Sequence, residues 1–303
     1  MFPGMSPSAI EIDRLTKRYG RKLAVDALTL EVPTGSIFGL LGNNGAGKTS
    51  TIRMLVGHLY PTSGAVRLLG TDLHSAGESD RRRIAYLSDR MRIPGWMDPR
   101  AAIAMNQSLS PRWDAPLAER LMDRFRLRRA GRFSRLSLGE RRKVLLLVTL
   151  CQGAELLILD EPTLGLDVES RHVFLECLLE FACQGDRTVL LSSHLLSDVE
   201  RVVDRVAMLR DGRLVTQGVL EDLKEGIRKL HFPAPVSRDE LSVHFKILSY
   251  DGTQPRQTVA TVSDFTDDKL QRLVGGLPQT GELRTQRFNL EDIFVALMNS
   301  VGD

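Results

Sequence analysis

The chain has 303 residues, 42% hydrophobic and 26% charged, with a formal net charge of only +3. That length suits one large domain plus a small one with ample core, and the charge is too small to argue by itself for a nucleic-acid partner. The longest apolar run, around Val144 to Cys151, falls well short of the roughly 18 residues of a membrane span, so the chain is not expected to form a pore. Met1 to Met5 offers neither a basic leader nor a sustained apolar stretch, and the expectation is a protein that stays in the cytosol. Cys151, Cys177 and Cys183 are odd in number and lack metal-ligand spacing, which reads as reduced thiols.

From Ala9 to about Val32 apolar residues alternate, as in Ile10, Ile12, Leu28, Leu30 and Val32, predicting two half-buried strands. A buried run from Ser36 to Leu41 leads into glycines, helical signals follow from Lys48 to His58, and Pro61 to Gly64 marks a turn before a strand at Ala65 to Leu69. Between Asp98 and Arg135 the pattern becomes helical, with Leu117, Leu121 and Phe125 repeating behind a cap at Asp114. This stretch reads as a helical insertion. Arg120, Arg124, Arg126, Arg128, Arg129, Arg132, Arg135, Arg141, Arg142 and Lys143 crowd one stretch of the chain. A solvated helical face accounts for such a run, and so does a surface meeting an acidic partner or anionic lipid.

Further along come a helix opened by Ser137, a strand at Leu156 to Leu159, a helix through Cys177, a strand at Thr188 to Leu191 and a short helix near Leu195. Strands alternating with helices argue for an α/β fold with a mostly parallel sheet covered on both faces. Beyond about Gly226 the composition shifts, with Pro233 and Pro235 as punctuation. The expected organisation is one domain over 9–226, with a helical subdomain at about 98–150, and a small α+β accessory domain over 227–303. No internal repeat or low-complexity segment is present.

The run Gly42, Asn43, Asn44, Gly45, Ala46, Gly47, Lys48, Thr49 matches a phosphate-binding loop and lies between a buried strand and a helix. Glycines there let backbone N–H groups turn inward around phosphate oxygens, and the helix start adds a positive dipole end. Lys48 is positioned to neutralise the β and γ phosphates, Thr49 to offer its hydroxyl to magnesium, and Ser50 continues the site into the helix. Leu156 to Glu161 is an apolar strand ending in two acids, and ligands gather at the carboxyl ends of parallel strands. Asp160 then holds magnesium through water, and Glu161 polarises the attacking water as general base. Ser137, Leu138, Gly139 and Glu140 form a capping box, and a helix N-terminus with a small Gly139 is also a ready anion site.

Leu136 to Glu140 precedes the acidic strand at the separation found in ATP-binding cassette proteins and resembles their signature motif. The resemblance covers about Ala9 to Gly226. It implies a P-loop NTPase cassette with a mostly parallel core sheet, an antiparallel β subdomain and a helical insertion. By that resemblance Tyr19 looks like the aromatic that stacks on adenine, and Asp89 falls where the family's Gln loop reaches the metal. Leu166 and Asp167 look like the loop linking the two sites, and His194 resembles the switch histidine that contacts the γ-phosphate. Ser137 and Gly139 would close over ATP held by the phosphate loop of a second cassette, in a homodimer or heterodimer. Leu290 to Phe294 also looks like the end of cassette subunits from the drug and antibiotic export branch.

The resemblance thus implies a Mg-ATP hydrolase that powers a separate membrane permease from the inner face of the cell membrane, with no nucleic-acid partner. A soluble cassette acting on ribosomes or DNA is the alternative, although only one phosphate loop and no sustained heptads are present. A regulatory module without turnover is a third reading. Three positions depart from the family pattern. Asp89 is shorter than the usual Gln or Glu, Leu138 replaces a Gly, and Glu140 replaces a Gln, which together predict modest basal turnover. Asn43 in place of Pro matters little, because the loop backbone binds phosphate.

Overall fold

In the computed structural model, which describes residues 8–88, 90–128, 130–254, 257–277 and 283–300, the chain divides into two compact units, Met1–Leu214 and Val215–Asp303. The first opens with β1 (Ser8–Tyr19) and β2 (Lys22–Pro33), paired antiparallel so that Ile10 faces Val32, Ile12 faces Leu30 and Leu15 faces Leu28. These apolar partners fall on one buried side, as the alternation requires. Next comes β3 (Ile37–Gly42), buried along its whole length, then α1 (Lys48–Leu55).

The helical signal around His58 overshoots, because α1 stops at Leu55. Gly57 adopts a left-handed φ of 72°, its N–H donates to Met54 O, and the His58 N–H donates to Arg53 O. That is a complete Schellman stop. After it, β4 (Ser63–Leu68) and β5 (Thr71–Asp72) finish a four-stranded antiparallel sheet in the order β2-β1-β4-β5. Its apolar side and Ile52, Met54 and Leu55 of α1 share one core.

The chain continues through α2 (Glu78–Arg81), β6 (Ile84–Leu87), α3 (Pro99–Leu109), α4 (Ala115–Arg124), α5 (Leu138–Leu150), β7 (Leu156–Asp160), α6 (Val168–Ala182), β8 (Thr188–Ser193), α7 (Leu196–Val199), β9 (Arg205–Arg210) and β10 (Arg213–Val219). The second sheet has the order β10-β9-β3-β8-β7-β6. From β9 to β6 every pairing is parallel. Strand β10 follows β9 through Asp211 and Gly212, both at positive φ, the geometry of a tight hairpin turn.

The stretch read as a helical insertion holds α3 and α4. Asp98 caps α3 by accepting from the Ala101 N–H, and Asp114 caps α4 by accepting from the Leu117 N–H. The arginine run is largely consumed inside the molecule. On α4, Arg120 pairs with Glu180 and Arg124 with Glu176 of α6, Arg126 just past α4 pairs with Glu169, and Arg128 pairs with Glu119 and Asp123. Cys151 and Cys177 are buried, Cys183 is exposed, and all three are free thiols. Burial pushes the Cys177 thiol up to about 11, so it is inert at neutral pH.

The second unit contains α8 (Leu220–Gly226), β11 (Arg228–Phe232), α9 (Arg238–Ser242), β12 (Lys246–Asp251), β13 (Thr258–Ser263), α10 (Asp267–Gly276), β14 (Arg284–Arg287) and α11 (Leu290–Asn299). Its sheet is antiparallel in the order β12-β13-β11-β14. From β11 to β14 the order is βαββαβ, a ferredoxin-like arrangement. Leu230, Phe232, Ala260 and Val262 of the two middle strands share a core with Leu241 of α9 and Leu273 of α10. Strand β14 forms one edge, with all four residues exposed.

Candidate active site

Parallel pairing sets three strand ends level with one another. Leu41 of β3 lies opposite Ser193 of β8, and Asp160 of β7 lies opposite Ser192. The glycine loop leaves β3 there and enters α1 through Gly47, which has a φ of 102°. A Cβ at Gly47 would stand 2.6 Å from Ala24 O, so the loop lies directly on β2. Asn43, Asn44 and Gly45 are exposed and Ala46 is buried.

Lys48 is 6% exposed and donates to Gly42 O at 2.6 Å and Asn43 O at 3.3 Å. Burial pulls its ammonium below the ordinary lysine pKa, and the Glu161 and Asp160 carboxylates oppose that shift. Thr49 Oγ1 donates to Asp160 Oδ1 at 3.3 Å, and Ser192 Oγ donates to the same oxygen at 2.6 Å. Ser192 Oγ also accepts from the Glu161 N–H at 3.1 Å.

Glu161 itself sits at a φ of 50°, a left-handed conformation costing roughly 1–2 kcal/mol in a non-glycine residue. This kink turns its carboxylate toward the end of β8. There Oε2 lies 2.7 Å from His194 Nδ1 and accepts from the His194 N–H at 3.3 Å. Lys48, Thr49, Asp160, Glu161 and His194 therefore converge, as a charge-stabilising centre with a carboxylate held by a histidine. Ser50 is half-buried in α1. Tyr19 ends β1 with its ring 45% exposed and the Lys17 ammonium 5.2 Å from the ring centroid. Asp89 lies outside the described residues.

Ser137 and Gly139 belong to a second cluster. Ser137 caps α5 by accepting from the Glu140 N–H at 3.2 Å, while the Glu140 carboxylate accepts from the Ser137 N–H and hydroxyl, each at 2.8 Å. Those bonds from Ser137 hold Glu140 below the ordinary carboxylate pKa. A Cβ on Gly139 would meet Gly165 O at 2.9 Å, so the first turn of α5 rests on the loop before α6. Leu138 is 72% exposed beside it.

Asp167 caps α6 through the Ser170 N–H and pairs with Lys143 at 2.7 Å. The Lys143 bond, then the Ser170 bonds, hold Asp167 well below the usual carboxylate range. A depressed folded pKa means that this contribution is complete above the unfolded value of about 3.9 and fades as pH falls through the folded one. Asp167→Asn is therefore expected to be less stable than wild type at neutral pH, by about 1 kcal/mol or less for so exposed a carboxylate, and so to melt lower, with the gap closing in acid. Thermal melts across pH measure it; a gap that is constant with pH would contradict it.

Two residues of this site escape a reading of the sequence. Ser192 couples Asp160 to Glu161 through strand register, which no local motif encodes. Arg142, expected on a solvated or partner-facing surface, is 5% exposed and directs its guanidinium at the carbonyls of Ser88, Asp160, Glu161 and Pro162.

A glycine loop, two carboxylates and a histidine meeting at the carboxyl edge of a parallel sheet are the working parts of a phosphate-loop nucleotide hydrolase. The ABC transporter family profile matches residues 25–164. The Nod factor export ATP-binding protein I of Paraburkholderia xenovorans is 32% identical, over 97% of this chain and 98% of that protein. The bacitracin transport ATP-binding protein BcrA of Bacillus licheniformis is 32% identical over 73% of this chain and 72% of its own. Among solved structures, an ATP-binding subunit of an ABC transporter superposes with a TM-score of 0.65 at 29% identity, covering 72% of this chain and 92% of that one. The chain belongs to the ATP-binding subunits of ABC transporters. It is an ATPase that powers a membrane transporter. Among the described residues no helix is long and apolar enough to cross a membrane.

Proposed function

We propose that the chain hydrolyses Mg-ATP at the centre formed by Lys48, Thr49, Asp160, Glu161 and His194, and that this drives export through a permease at the inner face of the cell membrane. The unbroken contact path from Thr49 through Asp160 and Ser192 to Glu161 and His194 carries this reading. Residues Gly42 to Thr49, continued by Ser50, cradle the phosphates, with Lys48 neutralising their charge. Tyr19 offers a face to adenine. Ser137 and Gly139 close over the nucleotide bound by the partner cassette.

Magnesium suits the donor set, since the Thr49 hydroxyl and the Asp160 carboxylate are hard oxygen donors only 3.3 Å apart. Asp89 is proposed to add a further carboxylate. When bound, the ion screens charge on the phosphates. Glu161 takes the proton of the attacking water, and His194 keeps that carboxylate aligned. Residues 9–226 are assigned to the cassette, with a helical subdomain at about 98–150, and 227–303 to an accessory domain. The export role is taken from relatives named for Nod factor export and bacitracin transport.

The test is phosphate release by the purified chain. Hydrolysis is expected to be slow, to cease when EDTA removes the metal, to return with added Mg2+, and to rise when a co-purified permease is present. Release that is indifferent to EDTA, or no release with or without the permease, would overturn the assignment.

A further inference from the structure

We infer that Arg142 is a positioning residue for hydrolysis: its buried guanidinium holds the Glu161 peptide, and with it the carboxylate, in the orientation that attack on phosphate requires. This rests on the assignment of Glu161 as general base. Arg142 lies on α5, five residues beyond the Ser137 cap, and is 5% exposed. Its Nη1 donates to Ser88 O at 2.9 Å, at the end of β6. Its Nε donates to Pro162 O at 3.2 Å, and its Nη2 reaches both Asp160 O at 3.2 Å and Glu161 O. One planar fork thus ties three segments together: the strand end before Asp89, the acidic end of β7 and the helix that begins at Ser137.

The need for such a tie follows from the backbone. Glu161 has a φ of 50°, which a non-glycine residue keeps only where its surroundings over-determine it. Both sides of the residue are held: Ser192 Oγ accepts from its N–H, and Arg142 donates to its carbonyl. Releasing the carbonyl lets the backbone relax and swings the carboxylate away from His194 and from the phosphate loop. Five N–H groups in a fixed plane can address divergent carbonyls together, and a lysine ammonium cannot. The same helix carries the serine cap and this fork, so a displacement of α5 at the cap also moves the support of Glu161.

The experiment compares Arg142→Met, Arg142→Lys, Glu161→Gln and Val148→Ala, the last being a buried residue of α5 away from the site. Steady-state hydrolysis gives kcat, calorimetry with ATP gives Kd, and each variant is assayed at the same interval below its own melting temperature. Arg142→Met is expected to lower kcat by about 10- to 100-fold, the scale of a small misplacement of a reacting group. Its Kd for ATP is expected to stay within about twofold, Arg142→Lys to recover only part of kcat, and Val148→Ala to stay near wild type.

Should Arg142→Met not fold, Arg142→Lys carries the test through the same split between kcat and Kd. A wild-type kcat in either arginine variant, a Kd that rises as much as kcat falls, or an equal kcat loss in Val148→Ala would overturn the inference. If Glu161→Gln is inactive while Arg142→Met is not impaired, the inference fails alone. If Glu161→Gln hydrolyses normally, the assignment of the base fails with it.

Discussion

Glu161→Gln is expected to bind ATP as wild type does and to hydrolyse it about 100- to 10,000-fold more slowly, the range for losing a positioned general base. Geometry makes this substitution clean. The glutamine amide oxygen can still accept from the His194 N–H, as Oε2 does at 3.3 Å, so the link between the ends of β7 and β8 is kept. What is lost is the capacity to take a proton. Without turnover the γ-phosphate persists, and a nucleotide-bound pair of cassettes is expected to accumulate, since on the proposed assignment Ser137 and Gly139 of one cassette close over the nucleotide of the other. Phosphate release, ATP calorimetry and size-exclusion chromatography with ATP measure the three parts. Undiminished phosphate release in this variant would remove Glu161 from the mechanism.

Gly47→Ala is expected to abolish useful ATP binding by a different route. Gly47 has a φ of 102°, beyond the left-handed region that L residues visit, and a Cβ there would meet Ala24 O at 2.6 Å. The new atom faces backbone rather than a flexible side chain, so the loop or β2 must move. Either shift misaligns the N–H groups at the start of α1 with the phosphates, and a weakening of about 100-fold corresponds to roughly 3 kcal/mol. Gly45→Ala is the internal comparison. Gly45 has a φ of 85° but open space where a Cβ would stand, so it bears backbone strain without collision and should weaken ATP less. Equal affinities for Gly47→Ala and wild type by calorimetry would contradict this account.

Legibility in the sequence follows how local each signal is. The phosphate loop, the apolar strand before the two acids and the Ser137 capping box are contiguous words and occur where expected, although β7 ends at Asp160 and leaves Glu161 just beyond it. The α/β class was readable from alternation, but sheet order was not. Strand β6 is a run of only 4 residues, too short for periodicity to separate it from helix or loop. The early stop of α1 was encoded at Gly57 and hidden by apolar residues that continue past it.

Side chains acting across the fold were the hardest to read. Arg120, Arg124 and Arg126 meet glutamates 60, 52 and 43 positions away, so composition registers only a cationic stretch. Arg142 sits in that same stretch, and nothing local separates its buried guanidinium, held on backbone carbonyls, from its exposed, ion-paired neighbours. Ser192 matters because β8 is in register with β7, a fact that exists only once the sheet is assembled.

The exposed edge strand β14 has a consequence for how crowded copies behave. Among the described residues this strand, Arg-Thr-Gln-Arg, has no neighbour along the outer side of the sheet, which makes it a template on which another chain's strand can grow. An identical strand laid antiparallel alongside would bring guanidinium against guanidinium at both ends, and that repulsion acts before any ladder can form. Sheet-to-sheet polymerisation through this edge is thereby discouraged, even at high local concentration.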